Sequence, residues 1–287
     1  MTTAARLRSF VALAETGSVR AAARQLVVTE SSVSAAVSAL AAEVGVPLIT
    51  KDGRGVRLTP AGERYAGYAR RILGLYAEAT AAAHDVAAPD RGSVRLAAVT
   101  TAGEHVLPAM LASFRAAHPA VALSLHVAPR AEVWPMLAHH EVDLVVAGRP
   151  PDGLDARSRA VSPNTLVVVG PPGPRPDTWL LREPGSGVRA TTLVLLDQLD
   201  ADPPQMTLGS HGAVVAAAVA GLGVTLVSRQ AVHAHLRDGR LVEIAVPGTP
   251  LQRPWHAVSR ADPTPTTELL VGHLLDRPEL GWAQGHE

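Results

Sequence analysis

The chain contains no cysteine among its 287 residues, which excludes disulfide bonds and thiolate metal sites and is typical of a reducing compartment. Aromatic residues make up only 3 % of the sequence, so the core must consist mainly of aliphatic side chains. No apolar run approaches the roughly 20 residues that a membrane-spanning helix needs, and no basic start followed by an apolar stretch opens the chain. These absences predict a cytoplasmic protein that has no membrane partner.

The net charge is zero, because 26 basic residues balance 26 acidic ones, yet the two signs are unevenly distributed. Residues 1–71 contain ten Lys or Arg and five Asp or Glu, a net charge of +5, and the remaining 16 and 21 give −5. A basic segment of this kind can contact phosphate groups. An ordinary solvated surface is the alternative, since an excess of five charges is modest.

Residues 7–59 carry the pattern of a winged helix-turn-helix, in which one helix enters the major groove of DNA. Apolar periodicity and capping residues predict three helices, over 4–15, 18–26 and 29–44. The third helix is expected to bury Val33, Val37, Leu40 and Val44 and to present small polar side chains on its opposite face, which permits close approach to base edges. The alternative is the solvent-exposed face of an ordinary helical bundle.

A basic hairpin over 47–58 follows, with its turn at 52–55. Its cationic side chains are placed to contact backbone phosphates, as the wing of such a domain does. The residues that we expect to contact DNA are Thr29, Glu30, Ser31, Ser32, Ser34, Ala35, Ser38, Lys51, Arg54 and Arg57.

A long helix is predicted from Pro60 to about Ala88, and apolar residues recur along it at alternating spacings of four and three. This pattern is a heptad seam, which predicts that two copies of the chain pair along it. The seam consists of Ala61, Tyr65, Tyr68, Ile72, Leu75, Ala79, Ala82 and Val86. The expected dimer contacts are Tyr65, Tyr68, Ile72 and Leu75.

From Ser93 onward, predicted strands alternate with predicted helices, which favours a parallel α/β architecture. Where a strand ends and a helix begins, free backbone N–H groups can bind an anion. Three segments meet this description, at 100–101, 185–188 and 209–212. Simple helix capping is the alternative role of the hydroxyl side chains in these segments.

The combined pattern resembles the LysR-type transcriptional regulators. The resemblance is carried at close spacing by residues 7–18, 21–26, 32–34, 40, 43, 45–48 and 54–62. Two further segments, 143–148 and 220–224, are similar to parts of the effector domain of that family. The resemblance implies an N-terminal all-α winged helix-turn-helix with a long linker helix, followed by a two-lobed α/β effector domain like that of periplasmic solute-binding proteins.

The resemblance also implies boundaries and partners. The expected boundaries are 1–59 for the DNA-binding domain, 60–88 for the linker helix, 93–162 with 263–287 for the first lobe, and 163–262 for the second lobe. The chain is expected to cross between lobes near 161–163 and again near 261–263. The expected partners are a double-stranded promoter palindrome, RNA polymerase, further copies of the chain in a dimer or tetramer, and a small organic effector between the lobes.

The expected effector is a small organic molecule with a carboxylate or phosphate group, since helix N-termini and arginine side chains bind such anions. Arg149 or Arg189 is the expected counter-charge for the anion, and an ordinary surface arginine is the alternative for either. The residues that we expect to bind the effector are Thr100, Thr101, Arg149, Gly187, Val188, Ser210 and His211.

The sequence departs from the family pattern at two positions of the third helix. Glu30 stands where the family commonly has Gln, and Ala35 stands where it often has Arg or Lys. Glu30 can accept a hydrogen bond from cytosine N4, or it can simply stabilise the helix N-terminus through the helix dipole. The segment 170–177 is also shorter than is usual in the family.

Two patterns suggest other chemistry and are rejected. Residues 185–190 match the glycine fingerprint of dinucleotide-binding folds but lack a convincing βαβ context. His139, His140 and Glu141 point to different sides of a helix, which favours a solvated helix end over a metal site. We therefore expect no enzymatic activity, no cofactor and no metal. A cytoplasmic small-molecule-binding protein of the solute-receptor type, without specific DNA binding, is the alternative function.

Overall fold

The computed structural model describes residues 2–53 and 55–285 and divides into two compact units. The first unit runs to Ala83 and includes Ala138–Glu141. The second unit comprises His84–Leu137 and the chain from Val142 onward. The division follows the expected separation of a helical N-terminal part from an α/β C-terminal part.

The elements of the first unit are α1 (Ala4–Thr16), α2 (Val19–Leu26), α3 (Glu30–Val44), β1 (Ile49–Asp52), β2 (Gly55–Leu58) and α4 (Pro60–Asp85). The last two residues of α4 lie beyond the boundary of this unit at Ala83. The residues that cap α1, α2 and α3 are Thr3, Ser18 and Thr29, and each side chain accepts a hydrogen bond from a backbone N–H three residues ahead. Hydroxyl caps of this type stabilise a helix start. The predicted helix-turn-helix and hairpin are present.

The turn between α2 and α3 is sharp, with 107° between the two helices. It begins at Val27, which has a φ of 55°, a left-handed conformation that β-branched residues rarely adopt. Among the described residues no single helix has the length and apolar character of a membrane span, although α2 and α3 taken together pass that test by length and composition.

A small aliphatic core joins the four helices and the hairpin. Its fully or almost fully buried members are Leu7, Phe10, Leu13, Ala22, Ala23, Val33, Val37, Leu40, Leu48, Ala66 and Ala69. The start of α4 is fastened to this core by Thr59, whose Oγ1 donates to the Pro47 carbonyl at 2.7 Å and accepts from the Gly62 N–H at 3.0 Å. Consequently α4 begins in close contact with the segment that precedes β1.

The helix α4 is 26 residues long and ends at Asp85, three residues before the predicted end at Ala88. A 3₁₀ turn over Pro89–Arg91 follows. Val86, the last residue of the predicted seam, therefore lies beyond the helix.

The elements of the second unit, after the end of α4, are β3 (Ser93–Ala98), α5 (Thr100–His105), α6 (Leu107–Ala117), β4 (Ala122–Val127), α7 (Arg130–Ala138), β5 (Leu144–Ala147), β6 (Arg157–Ser162), β7 (Thr165–Gly170), β8 (Trp179–Leu181), α8 (Gly187–Gln198), β9 (Gln205–Thr207), α9 (His211–Val219), β10 (Thr225–Ser228), α10 (Arg229–Arg237), β11 (Val242–Glu243), β12 (Leu251–Gln252), β13 (Trp255–Ser259), α11 (Pro265–Leu275) and β14 (Ala283–Gln284). They form two lobes, each with its own sheet.

The first lobe is a six-stranded sheet in the order β14-β6-β13-β5-β3-β4. Alternate residues of β3 enter different cores: Val94, Leu96 and Ala98 pack with α6 and α11, and Ala97 packs with α7. The sheet is therefore covered on both faces, as expected for an α/β layer architecture.

The second lobe is centred on β7, which pairs antiparallel with β10, β11 and β12. Leu166 and Val168 enter one core with α8, and Val167 and Val169 enter another with α9 and α10. The strands β8 and β9 form a separate parallel pair.

Two expectations about these lobes need correction. Neither main sheet is parallel throughout: the sheet of the first lobe is mixed, because β13 and β6 run antiparallel to their neighbours, and the sheet of the second lobe is antiparallel, because β7 has only antiparallel partners. The return crossing is earlier than predicted near 261–263: Gln252 belongs to the second lobe's sheet and Trp255 already belongs to the first lobe's sheet. The outward crossing, between β6 and β7, is at 163–164, next to its predicted position.

The two glycines near the start of α4 differ in their surroundings, which yields a stability prediction. A Cβ at Gly62 would lie 1.9 Å from the Leu48 carbonyl oxygen, whereas at Gly67 the nearest atom would be 3.8 Å away. We expect Gly62→Ala to destabilise the first unit by about 2 kcal/mol or more through overpacking. We expect Gly67→Ala to stabilise the first unit by about 0.5–1 kcal/mol, since alanine lowers the conformational entropy of the unfolded chain.

Urea unfolding of the full chain, followed by circular dichroism, measures both changes. Equal stability of the two variants would contradict the close approach of α4 to Leu48.

Candidate functional site

The exposed face of α3 is the first candidate interface. Thr29, Glu30, Ser31, Ser32, Ser34, Ala35 and Ser38 are all exposed. The opposite side of the helix holds Val33, Val37 and Leu40, which are at most 2 % exposed. The face that the sequence predicts for DNA contact is therefore free of the chain's own core.

Hydroxyl groups cluster at the N-terminus of α3. Thr29 Oγ1 accepts a hydrogen bond from the Ser32 N–H at 3.2 Å and lies 2.9 Å from Ser31 Oγ and 2.7 Å from Ser32 Oγ. The cluster places several donors and acceptors beside the positive end of the helix dipole. Such a surface can hydrogen-bond to phosphate oxygens and to base edges.

The hairpin is held beside this helix pair by a backbone contact. The Val56 N–H donates to the Gly17 carbonyl at 2.9 Å, which ties the hairpin to the loop between α1 and α2. Lys51 and Arg57 are exposed on it, and Arg57 Nε is only loosely paired with Asp52 at 4.0 Å. Arg54, the remaining cation that we expected to contact DNA here, lies outside the described residues.

Two exposed cations on α2 were missed in the sequence analysis. Arg20 and Arg24 are one helical turn apart on the side away from the buried Ala22 and Ala23. The signal that would have identified them is the excess of basic residues in this part of the chain, because the first helix of a helix-turn-helix crosses the DNA backbone.

The seam of α4 is largely exposed in the single chain. Tyr68, Ile72, Leu75 and Tyr76 are between 44 % and 63 % exposed. Tyr65 differs from the prediction: it is half-buried and packs edge-on against Phe10, with ring centroids 5.7 Å apart. Because Tyr65 packs into the core of the first unit, the large exposed apolar side chains left for a partner are Tyr68, Ile72, Leu75 and Tyr76.

The segment Ala138–Glu141 belongs to the first unit and is not the solvated helix end that we predicted. His140 Nδ1 lies 2.6 Å from Glu78 Oε2, and both side chains are mostly buried. Arg70 Nε lies 4.0 Å from Glu141 Oε1. Charged partners on α4 thus account for His140 and Glu141, and His139 Nδ1 lies 3.6 Å from Glu141 Oε1 in its own segment.

The second candidate site is a cavity of about 70 Å³ within the second unit, enough for several water-sized groups. Its walls come from both lobes. The residues that line it are Val99, Thr100, Thr101, Pro129, Arg130, Gly148, Asn164, Leu166, Arg182, Ser186, Gly187, Val188, Thr191, Arg253 and Trp255.

Three arginines contribute to this cavity, and their charge balance differs. Arg182 forms a bidentate ion pair with Glu183, at 2.6 and 2.7 Å. Among the described residues neither Arg130 nor Arg253 has a carboxylate partner. Burial, and then the charge of Arg253, lower the pKa of Arg130. The cavity thus holds two cationic groups without a counter-charge.

The start of α8 faces the same cavity. Ser186 caps this helix by accepting from the Arg189 N–H at 3.5 Å, and Gly187, Val188 and Thr191 line the wall. A Cβ at Gly187 would lie 3.2 Å from Arg130 Cδ. A helix N-terminus and an arginine side chain therefore meet at one point, which is a favourable position for an anion.

Asn164 holds the two crossing segments together at the floor of the cavity. Its Nδ2 donates to the Arg253 carbonyl at 2.9 Å, and its Oδ1 accepts from Ser228 Oγ at 2.7 Å. The Arg253 N–H also donates to the Asn164 carbonyl at 2.8 Å. Arg253 is positioned by these contacts.

The cavity brings together four of the seven residues that were predicted to bind an effector: Thr100, Thr101, Gly187 and Val188. Arg149 lies at a neighbouring surface pocket, His211 lines a different pocket, and Ser210 caps α9. Arg130, Asn164, Arg182 and Arg253 were missed. Arg130 sits between the end of β4 and the body of α7, so the strand-to-helix rule would have found it; nothing in the sequence singled out Arg253.

Two family models match the chain. The description of one is "Bacterial regulatory helix-turn-helix protein, lysR family", over residues 4–63. That of the other is "LysR substrate binding domain", over residues 87–279. Together they span both units.

Curated relatives match over almost their full length. The HTH-type transcriptional regulator CbbR of Rhodospirillum rubrum is 33 % identical, over 93 % of this chain and 94 % of the relative. The HTH-type transcriptional regulator CfxR of Cupriavidus necator is 32 % identical, over 94 % and 90 %.

Solved structures share the fold of the whole chain. Full-length OxyR of Pseudomonas aeruginosa superposes with a TM-score of 0.69 at 20 % identity, covering 100 % of this chain and 99 % of the other. Full-length CbnR in complex with its target DNA superposes with a TM-score of 0.66 at 22 % identity, covering 96 % and 99 %. The expected combination of a winged helix-turn-helix with an α/β effector domain is confirmed.

Proposed function

The chain belongs to the LysR family of transcriptional regulators, and on that basis we propose which of its residues bind promoter DNA, which pair two copies and which bind the effector. Regulators of this family bind promoter DNA and small effectors, and they are not enzymes. We assign this chain to the cytoplasm, where promoter DNA is located, and we assign it no catalytic residue.

DNA binding is assigned to α3 and the hairpin. The observation that carries this assignment is the exposed, small-sided face of α3 with its hydroxyl cluster at the N-terminus. Thr29, Ser31, Ser32, Ser34, Ala35 and Ser38 face the major groove in this arrangement, with Glu30 either at a cytosine or stabilising the helix start. Lys51, Arg54 and Arg57, together with Arg20 and Arg24, contact phosphates.

The two kinds of contact predict different effects of mutation. Lys51→Ala should weaken binding to all DNA sequences and reduce the slope of log affinity against log salt by about 1, because one phosphate contact is lost. Ser34→Ala should lower affinity for the specific site by about 0.5–1.5 kcal/mol, with non-specific binding unchanged.

Footprinting of the chain's own promoter region at several salt concentrations, with fluorescence anisotropy for affinities, measures both effects. Arg175→Ala is a matched control, since Arg175 is an exposed arginine of the second unit. Equal losses from Lys51→Ala and Ser34→Ala on every sequence would contradict the division of roles, and no footprint at any salt concentration would refute DNA binding.

Pairing of two copies is assigned to the exposed seam of α4, which is formed by Tyr68, Ile72, Leu75, Tyr76 and Ala79. Tyr65 supports the seam from the core side. Apolar side chains of this size are covered in a coiled-coil interface and are otherwise an unfavourable surface. A dimer of helix-turn-helix domains fits a palindromic operator, and two such dimers form the tetramer that the family implies.

Leu75→Asp tests this assignment. A carboxylate buried in the seam should weaken the dimer by about 3 kcal/mol, or roughly a hundredfold in dissociation constant. Ala77→Asp is the matched control, because Ala77 is exposed on the other side of the same helix. Sedimentation velocity should show monomer for the first variant and unchanged assembly for the second; an intact dimer for Leu75→Asp would exclude this interface.

The effector is assigned to the cavity of the second unit, and its chemistry is anionic. Arg130 and Arg253 supply positive charge without a counter-charge, and the start of α8 supplies backbone N–H groups. Thr100, Thr101 and Ser186 add hydroxyl groups. A carboxylate or phosphate group on a small molecule satisfies all of these donors at once.

Arg130→Met should abolish the rise in melting temperature that a bound anion produces, because the removed guanidinium lies beside the start of α8. Arg149→Met is the control and also tests the sequence-based expectation, since Arg149 is exposed outside the cavity. Thermal unfolding is measured with succinate and with inorganic phosphate. A shift that survives Arg130→Met and disappears in Arg149→Met would move the site to the neighbouring pocket.

A further inference from the structure

Three side chains with metal-ligating atoms meet at the rim of the second unit, away from the anion cavity. Glu104 and His105 end α5, which belongs to the first lobe, and His211 opens α9, which belongs to the second lobe. One ligating atom from each residue lies within 4.8 Å of the others. The three residues line a shared surface pocket with His235 and Arg240.

His211 has an unsatisfied ring nitrogen at this place. Its side chain is 5 % exposed, and its Nε2 has no hydrogen-bond partner among the described residues. A buried polar atom without a partner costs about 1–3 kcal/mol. The ring packs edge-on against His105, with centroids 5.5 Å apart. Two imidazoles and one carboxylate therefore lie together, and one nitrogen of the buried imidazole has no partner.

The charged groups around the cluster are of both signs. Arg182 is the cation that acts most strongly on His211, its bidentate partner Glu183 offsets part of that effect, and Arg240 lines the same pocket. Glu104 Oε2 lies 3.8 Å from His105 Nε2, so a carboxylate is already directed at the cluster.

We propose that Glu104, His105 and His211 bind one divalent transition-metal ion that bridges the two lobes. Two nitrogens and one carboxylate oxygen suit Zn²⁺, Co²⁺, Ni²⁺ or Cu²⁺, whereas Mg²⁺ and Ca²⁺ prefer oxygen ligands only. Ligand bonds of about 2.0–2.2 Å require the three side chains to move closer together than they are without the ion. A fourth coordination position remains open to water from the surface pocket.

The bridge gives the ion a regulatory role. Because α5 and α9 belong to different lobes, an ion that holds their ends together favours one arrangement of the lobes over others. None of the three ligands lines the anion cavity, so the metal site is separate from the anion site. It does not depend on the assignment of the anionic effector.

The test uses the full chain without an affinity tag, first freed of metal by dialysis against a chelator. Zn²⁺ is titrated by calorimetry, and Co²⁺ is titrated while visible absorption is recorded. We expect one tight site per chain and the d–d bands of a four-coordinate cobalt ion. His105→Gln and His211→Gln should each lose this site, with at least a tenfold fall in affinity, about 1.4 kcal/mol.

His233→Gln is the matched control, since His233 is exposed on α10 and does not line the pocket. It should retain the site. His105 is exposed, so its variant should fold even where His211→Gln does not, and the result remains decisive. Unchanged tight binding by His105→Gln, equal loss in His233→Gln, or only weak binding without d–d bands in the native chain would each overturn the proposal.

Discussion

On α3, the burial of Val33, Val37 and Leu40 determines which side chains remain for contact with another molecule. Side chains on a helix repeat every 3.6 residues, so one buried stripe fixes the opposite face. The same constraint acts on α4, where Ala66 and Ala69 enter the core and leave Tyr68 and Ile72 outside. The face of α3 that we propose to bind DNA and the face of α4 that we propose to pair two copies are thus both consequences of how one small core is packed.

In the second unit the corresponding constraint is the pair of crossings between the lobes. Asn164 joins the two crossing segments through its side chain and its carbonyl, and the same hydrogen bonds position Arg253. These hydrogen bonds join the two sheets at the point where the chain crosses between them. The cavity lies next to this junction, so a ligand bound in it contacts both lobes.

Local patterns in the sequence were sufficient for the helices of the first unit, the exposed face of α3 and several strands of both lobes, because each of these depends on neighbouring residues. They did not predict β6 or β13, which lie inside the sheet of the first lobe. Long-range packing set the rest. Tyr65 has the spacing of the seam, but Phe10 on α1 takes it into the core. Arg149 and Arg130 are equally basic in the sequence, and only the approach of α8 to Arg130 distinguishes them. The return crossing was misplaced because β12 and β13 are short and only two residues apart.

The short helix α5 connects the two sites of the second unit. Thr100 and Thr101 at its start line the anion cavity, and Glu104 and His105 at its end belong to the proposed metal cluster. Six residues form too few hydrogen bonds to make a helix stable by itself, so contacts at both ends set its position. An ion at one end and an anion at the other act on the same element, and any coupling between them is reciprocal. If both proposed ligands bind, the anion changes the affinity for the metal by the factor by which the metal changes the affinity for the anion, and α5 is the element that contributes residues to both sites.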